Sequence, residues 1–537
     1  MNKMMDPFAL QVLWARLIAI TDEAATALVR TSFSTIVRES KDFACVLMDA
    51  QGRSLAQNTS TVPSFVGTLP RTMKHFLSRF PADEWQPGDV VATNDPWLAT
   101  GHKPDITLVA PIFHRGRLVA FAGAIAHMPD IGGRIYSADT TDLYEEGLSI
   151  PPCRLYESGV PNALLIEIIR SNVRVPDQTL GDIRAQISAC NVMGRRIEEM
   201  MEEQGLDALS DVASAIHERS ARAMRAAVGG GPDGPYRPPV DTDEIDGQSL
   251  HIEVAVTISG ETVHCDYSGT SAQVQRGINA VYNCTFAHTA YYLKCVLDPD
   301  LPNNEGALSP LTVTVPEGTI LNPTCPAPVN ARQIILHYLH AVMFGALAQA
   351  VPNKVIAQCG APSNRSMFSG TKDDGTSFSL LMFTSGGMGA PYNKDGRPCT
   401  TFPTNSGAAS IEVMESTSPI LVRRKELRPD SGGLGEFRGG LGQMIEVEIL
   451  SNTPVTVSFL MDRIQHPADG LNGGGAGAPA GLRLLDRTMG LPPKGRAVLH
   501  KGDVIEIGCA GGGGFGRLSQ RHPALVTRDR AHGYVTT

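Results

Sequence analysis

The chain has 537 residues and a formal net charge of −9, from 46 Lys and Arg against 55 Asp and Glu. That balance argues against a nucleic-acid scaffold, which is normally basic, and no apolar run reaches the 18 residues that a membrane span requires. Gly (54) and Pro (37) make up about a sixth of the chain, which predicts many turns, while 42% hydrophobic residues and glycines without a strict period exclude a disordered or collagen-like chain.

Asp6-Pro7 marks a helix start, Asp as N-cap and Pro in the first turn. Leu10, Leu13, Leu17, Ile20, Ala24 and Leu28 follow at helical spacing. This start places Asp6, Pro7 and Arg16 where a signal peptide would need an apolar core. Residues 43–56 (FACVLMDAQGRSLA) predict a hairpin, and DVVAT, TLVAPIF and LVAFAGAIA predict strands over 89–93, 107–113 and 118–126. Residues 182–227 predict solvated helices broken near Gly205, with Asp182 as an N-cap. The Gly- and Pro-rich stretch 229–240 reads as a linker between an N-terminal part (1–228) and a β-rich C-terminal part (241–537). A helical segment near 329–350 interrupts the latter. The fold expected is α+β and multidomain. The ten scattered cysteines contain no CxxC pair, and together with the missing leader they point to a reduced, cytoplasmic protein.

The chemistry concentrates between residues 94 and 133. His102 and Asp105 enter one apolar strand, and His127 and Asp130 repeat the His-x-x-Asp spacing at the end of the next. One copy alone reads as a local cap. Two copies bracketing one hairpin bring imidazoles and carboxylates into one pocket, a mixed N/O set suited to Zn, Mn or Fe, or form a fold-critical polar network. A metal there lowers the pKa of water and makes a hydrolytic nucleophile. Asp42, at the mouth of the 43–49 strand, reads on spacing as a turn cap ahead of a further ligand. Glu145 and Glu146 on a Gly/Pro-framed loop are either solvated carboxylates or a general acid/base. Arg174 can hold a phosphate or carboxylate. The glycine clusters at 432–442 and 510–516 match neither GxxxxGK[ST] nor a well-placed GxGxxG, so they read as tight turns and close backbone packing. GxSxG and HExxH are absent.

RESKDFACVLMD, ATNDPWLATGHKPDITLVAPIF, AHMPDIGG, YEEGLSIPP, NVRVPDQTLGDIRAQ, DYSGTSAQ, NNEGALSP, TSGGMGA, ELRPDSGGLGEFRGGLGQ and GGGGFG run in order from residue 38 to residue 516. Together they resemble the hydantoinase B / 5-oxoprolinase family, which includes N-methylhydantoinase and lactamase B-type subunits and related ketone carboxylase subunits. The resemblance implies a metal-dependent B-type subunit of an ATP-dependent cyclic-amide hydrolase, with a separate A-type subunit binding ATP and phosphorylating the substrate. A hetero-oligomer follows, since this chain has no phosphate-binding loop. Carried over by motif position, the divalent-metal ligands are His102, Asp105 and His127, with Asp42 as a fourth. Asp130 becomes the residue holding His127. On the hydrolase hypothesis, apart from that carry-over, Glu145 or Glu146 is the candidate proton shuttle and Arg174 the candidate phosphoryl or carboxylate anchor. A carboxylase subunit joining an activated enol to bicarbonate-derived carbon dioxide is the alternative activity, and a scaffold that only stabilises the A-type partner is the non-enzymatic one.

Overall fold

The computed structural model describes residues 6–232, 234–361, 364–485 and 490–536. The N-terminal part is built on seven antiparallel strands: β1 (Phe43–Asp49), β2 (Ser54–Gln57), β3 (Val90–Thr93), β4 (Asp105–His114), β5 (Arg117–His127), β6 (Cys153–Glu157) and β7 (Val160–Pro161). Their order is β2-β1-β5-β4-β3-β6-β7. The apolar run in β5 is explained by its central place, since both of its faces are covered. Six helices belong to this part: α1 (Pro7–Thr31), α2 (Thr35–Arg38), α3 (Thr68–Arg79), α4 (Ala163–Asn172), α5 (Pro176–Gln204) and α6 (Ser210–Gly229). Helices α1 and α5 bury Leu17, Leu28, Ile183 and Met193 against Cys45, Leu108 and Ala122 on one face. Helix α3 buries Leu69, Met73 and Phe76 against Val46, Val109 and Phe121 on the other.

Asp6 caps α1 as expected, its carboxylate accepting from the Ala9 N–H at 3.0 Å. Gly205, in the left-handed region at φ 63°, ends α5. Asp182 differs from expectation. It lies inside α5, where it accepts from the Phe33 and Ser34 N–H groups at 2.7 and 3.2 Å and pins the turn between α1 and α2. The helix begins earlier, at Pro176, whose ring suits the first turn.

The stretch 229–240 carries the strands Gly234–Tyr236 and Pro239–Asp241. The first closes a four-stranded sheet with Ala255–Ser259, Thr262–Asp266 and Leu311–Thr314, and the second pairs with His251–Glu253. Against that sheet pack α7 (Tyr282–Leu297), α8 (Glu305–Leu308), α9 (Gln333–Leu336) and α10 (Leu339–Ala348). This core takes in Ile36, Ile135 and Tyr136 from the N-terminal part, so the two parts share apolar packing.

Beyond residue 363, two four-stranded antiparallel sheets face each other across a third core that includes Phe368, Val447, Phe459 and Ile507. One contains Asn364–Thr371, Ser377–Thr384, Val455–Leu460 and Lys494–Leu499. The other contains Ile420–Leu427, Gln443–Ile449, Gly481–Leu484 and Val504–Gly508. At their ends the glycine clusters lie side by side, backbone against backbone. A Cβ on Gly511 would meet the Ser431 carbonyl at 1.6 Å, and one on Gly387 would meet the Gly440 carbonyl at 1.7 Å. The glycines are therefore needed for close approach, as read from the sequence. Among the described residues no helix is long and apolar enough to cross a membrane.

Candidate metal centre

The β4–β5 hairpin pairs Asp105 with His127 at its open end. Paired residues of an antiparallel ladder project from the same face. On the other side of β5, β1 continues the alignment: Phe43 pairs with Ala126, and the His127 N–H donates to the Asp42 carbonyl at 3.1 Å. Three neighbouring chain segments thus deliver Asp42, His127 and Asp105 to one end of the sheet. His102 arrives from the preceding loop, where Gly101 takes φ 91° and leaves no room for a Cβ against Cys284 Sγ and the Arg332 side chain. Asn94 holds that loop, donating to the Lys103 and Leu148 carbonyls and accepting from the Ile150 N–H.

One nitrogen each from His102 and His127 and one oxygen of Asp105 lie within 4.8 Å of one another, all buried. His102 Nδ1 is 2.8 Å from the Asn330 carbonyl. A carbonyl only accepts, so Nδ1 carries the proton. Burial, with Arg332 adding to it, holds His102 down to about 3, so the ring is neutral and Nε2 presents a lone pair. Among the described residues that Nε2 has no hydrogen-bond partner, yet it sits 2.8 Å from Asp105 Oδ1. Burial opposes ionisation of Asp105, but the Arg332 guanidinium against its other oxygen favours the charged form, and the carboxyl is held well below its usual range. A nitrogen lone pair and a carboxylate oxygen in contact repel each other unless a cation lies between them. The donor set therefore fits a divalent metal.

His127 Nδ1 lies 3.1 Å from the same Asp105 oxygen. The other Asp105 oxygen accepts from Arg332 Nη2 at 2.7 Å, and Arg332 Nε donates to the Thr100 carbonyl at 2.7 Å. Asp42 lines the same cavity but stands outside the compact group, and burial pushes its carboxyl up. The cavity is also lined by Ser64, Tyr136, His288, Gln333, His337, Arg365 and Thr404.

The other residues singled out from the sequence divide. Glu146 borders a second cavity that shares His127 and Tyr136 with the first. Its Oε1 accepts from the Val329 and Asn330 N–H groups at 2.7 and 2.9 Å and from the Thr140 hydroxyl at 2.9 Å. Its Oε2 is buried without a partner among the described residues, and burial raises the group to about 8. Glu145 is turned away from both cavities, ion-paired with Arg134 at 3.0 Å and accepting from the Thr141 hydroxyl. Asp130 does not meet His127. It accepts from Arg174 Nη1 at 2.6 Å and from the Arg174 N–H, while Arg174 Nη2 donates to the Gly133 carbonyl. Arg174 and Asp130 thus brace the 130–133 loop, and the contact with His127 belongs to Asp105.

Sequence reasoning missed Tyr136, Arg332 and His288. Arg332, Gln333 and His337 fall in the stretch recognised only as helical. An Arg directly preceding an apolar helical run was the available signal.

Fold and site define a mixed helix-and-sheet protein with a buried His/Asp/His cluster set at a sheet end. The chain belongs to the Hydantoinase B/oxoprolinase family, whose sequence pattern matches residues 6–518. It is 31% identical to the B-type subunit of a putative D-/L-hydantoinase of Pseudomonas sp. (strain NS671), covering 99% of this chain and 94% of that one. It is 29% identical to the caprolactamase beta subunit of Pseudomonas jessenii over 99% of this chain and 94% of that protein. The crystal structure of the ATP-dependent caprolactamase from Pseudomonas jessenii superposes with a TM-score of 0.92 at 28% identity, covering 99% of this chain and 95% of that chain. A nucleotide-free acetone carboxylase structure shares the fold, with a TM-score of 0.89 at 20% identity over 99% of this chain and 78% of that chain.

Proposed function

We propose that this chain is the metal-dependent B-type subunit of an ATP-dependent cyclic-amide hydrolase, acting on a substrate activated by a separate ATP-binding subunit. The observation that carries this reading is the unpartnered, neutral His102 Nε2 held against the Asp105 carboxylate, with His127 beside them. The names of the relatives support the substrate class: a hydantoinase, a caprolactamase and, at 28% identity over 40% of its length, the 5-oxoprolinase of Dictyostelium discoideum. The first two are named as single subunits of their enzymes, which supports the partner.

In this reading His102, Asp105 and His127 hold the metal, with Asp42 alongside. Bound there, a divalent ion supplies Lewis acidity and a water of lowered pKa. The protein's own groups do the rest. The Asn330 carbonyl fixes the His102 tautomer that points a lone pair inward. Arg332 holds Asp105 from behind and keeps it ionised. Glu146 carries a proton at neutral pH because burial raises it to about 8. Its unpartnered Oε2 borders the cavity shared with His127, where it serves as the acid for a leaving nitrogen.

Metal analysis of the purified chain beside His102→Ala and Asp105→Ala tests the centre, and undiminished metal in both variants would sink it. ATP turnover by the chain co-expressed with its ATP-binding partner then tests the reaction. Hydantoins, 5-oxoproline and lactams are the substrates, with and without bicarbonate. Ring opening independent of bicarbonate is expected, and bicarbonate-dependent product would favour a carboxylase instead.

A further inference from the structure

Two buried polar atoms in the lining of the metal cavity have no hydrogen-bond partner among the described residues: His102 Nε2 and Gln333 Nε2. They are opposite in character. The first is a lone pair and suits a cation. The second is an amide N–H group, which has no lone pair for a metal and calls for an oxygen. We propose that Gln333 donates to an oxygen on the reacting carbon of the ring amide, and that Tyr136 is the positioning residue that aims it. This rests on the reading above and adds a catalytic residue to it.

The orientation of the Gln333 amide follows from one contact. Tyr136 and Gln333 are both buried, and the Tyr136 hydroxyl stands 2.5 Å from Gln333 Oε1. O–H···O bonds span about 2.5–3.0 Å and N–H···O bonds about 2.7–3.2 Å, so the amide atom facing the phenol is its oxygen. A carbonyl oxygen only accepts, so the phenol donates. Both amide hydrogens are then left on the open side of the group, and a buried donor without an acceptor is costly.

The same residues tie that donor to the metal cluster. The Tyr136 ring packs edge-on against both imidazoles, its centroid 5.7 Å from that of His102 and 5.4 Å from that of His127. The segment leading into Gln333 is fastened to the cluster twice more. The Asn330 carbonyl accepts from His102 Nδ1, and Arg332 Nη2 donates to Asp105. Gln333 follows Arg332 directly and lines the same cavity.

Neighbouring polar groups are engaged with one another. Ser64 Oγ lies 3.0 Å from His288 Nε2, Thr404 Oγ1 lies 3.1 Å from His337 Nε2, and Arg332 is held by Asp105 and Thr100. Gln333 also brings its donor without a charge, so it neither competes with Arg332 for Asp105 nor repels a divalent ion. As a ring amide is hydrolysed, electron density builds on the oxygens of the carbon under attack. A fixed N–H in a buried cavity stabilises that density more than it stabilises the neutral ground state.

Two measurements test this: ring opening by the full-length chain with its ATP-binding partner, and calorimetric titration of the metal-loaded chain with acetohydroxamate, whose oxygens suit a divalent ion. Gln333→Met removes the N–H group, Gln333→Glu replaces it by an acceptor, and Tyr136→Phe removes one hydroxyl. Metal content is measured on every sample. With metal retained, kcat is expected to fall about a hundredfold or more in both Gln333 variants while KM changes little, as for the loss of one oxyanion donor. Acetohydroxamate should bind about tenfold more weakly to both. Tyr136→Phe should show the same pattern to a smaller degree, since the amide remains but is free to turn. Unchanged kcat and affinity in the Gln333 variants overturn the assignment, and so does a raised KM with kcat intact. Folded Gln333 variants that lose the metal make the residue a prop of the cluster and overturn it too. If they do not fold, Tyr136→Phe decides, and wild-type kcat and affinity there overturn the proposal. A complex that opens no ring amide refutes the reading above, while the hydroxamate titration still judges Gln333. A chain that takes up no metal refutes both.

Discussion

Replacing Glu146 by Gln should change how stability depends on pH. Three donors converge on Oε1, and Oε2 is buried without a partner. Glutamine keeps an acceptor at the first position and places an N–H group where the protonated acid carries its hydroxyl, so packing is preserved. In the folded chain the carboxyl keeps its proton up to about 8. In the unfolded chain it loses the proton near the usual glutamate value of about 4.3. Between those values the folded state binds more protons than the unfolded one, so wild-type stability falls as pH rises. Integrated from about pH 5 to about pH 8, the linkage costs wild type about 3 kcal/mol that the variant does not lose. Urea unfolding of metal-free wild type and E146Q across that range reads the difference directly, since the other titrations are common to both. Near the acid end the two should differ little, and the variant should gain steadily above it. A difference that is flat, or that moves in favour of wild type with rising pH, would refute the buried, protonated state of Glu146.

In metal-free protein, Arg332→Met strands the Asp105 carboxylate without its guanidinium and should cost about 3–5 kcal/mol by urea unfolding; a loss under about 1 kcal/mol would contradict the ion pair. Divalent metal at about a hundredfold its dissociation constant should stabilise the chain by about 2.7 kcal/mol, seen as a melting temperature that falls with chelator. His102→Ala should show no such dependence. Gly511→Ala forces a Cβ onto the Ser431 carbonyl and should destabilise by about 3 kcal/mol or more, while Gly481→Ala, with nothing near its Cβ among the described residues, should be neutral. Equal melting temperatures for the two would contradict the close packing.

The β4–β5 hairpin was legible because period and apolar runs are local properties, and its register follows once the two His-x-x-Asp groups are set at its open end. Asp6, Pro7 and Gly205 were legible as helix punctuation for the same reason. The partners of the site were not. Helix α7, which carries His288, is buried on nearly every side, so it shows no polar face to mark its period. Arg332 reaches Asp105 across 227 positions, and Arg174 reaches Asp130 across 44, and spacing is silent on such pairs. Two equivalent-looking His-x-x-Asp motifs therefore acquire different jobs. Asp105 pairs with His127 across the ladder, whereas Asp130 lies one turn beyond the strand, within reach of Arg174.

The glycine layer has a consequence for how the chain is made. Segment 510–515 runs among stretches drawn from 358–360, 387–390, 431–440 and 471–478, and exchanges backbone hydrogen bonds with each of them. All of those stretches leave the ribosome first. Until the closing rod emerges, the particular amide and carbonyl groups that pair with it have only water as partners. The C-terminal half therefore completes itself only once the strand Val504–Gly508 and the glycines behind it have been made. A chain stopped at residue 509 would keep the metal cluster in its sequence but would lack the keystone of the half that carries Arg365.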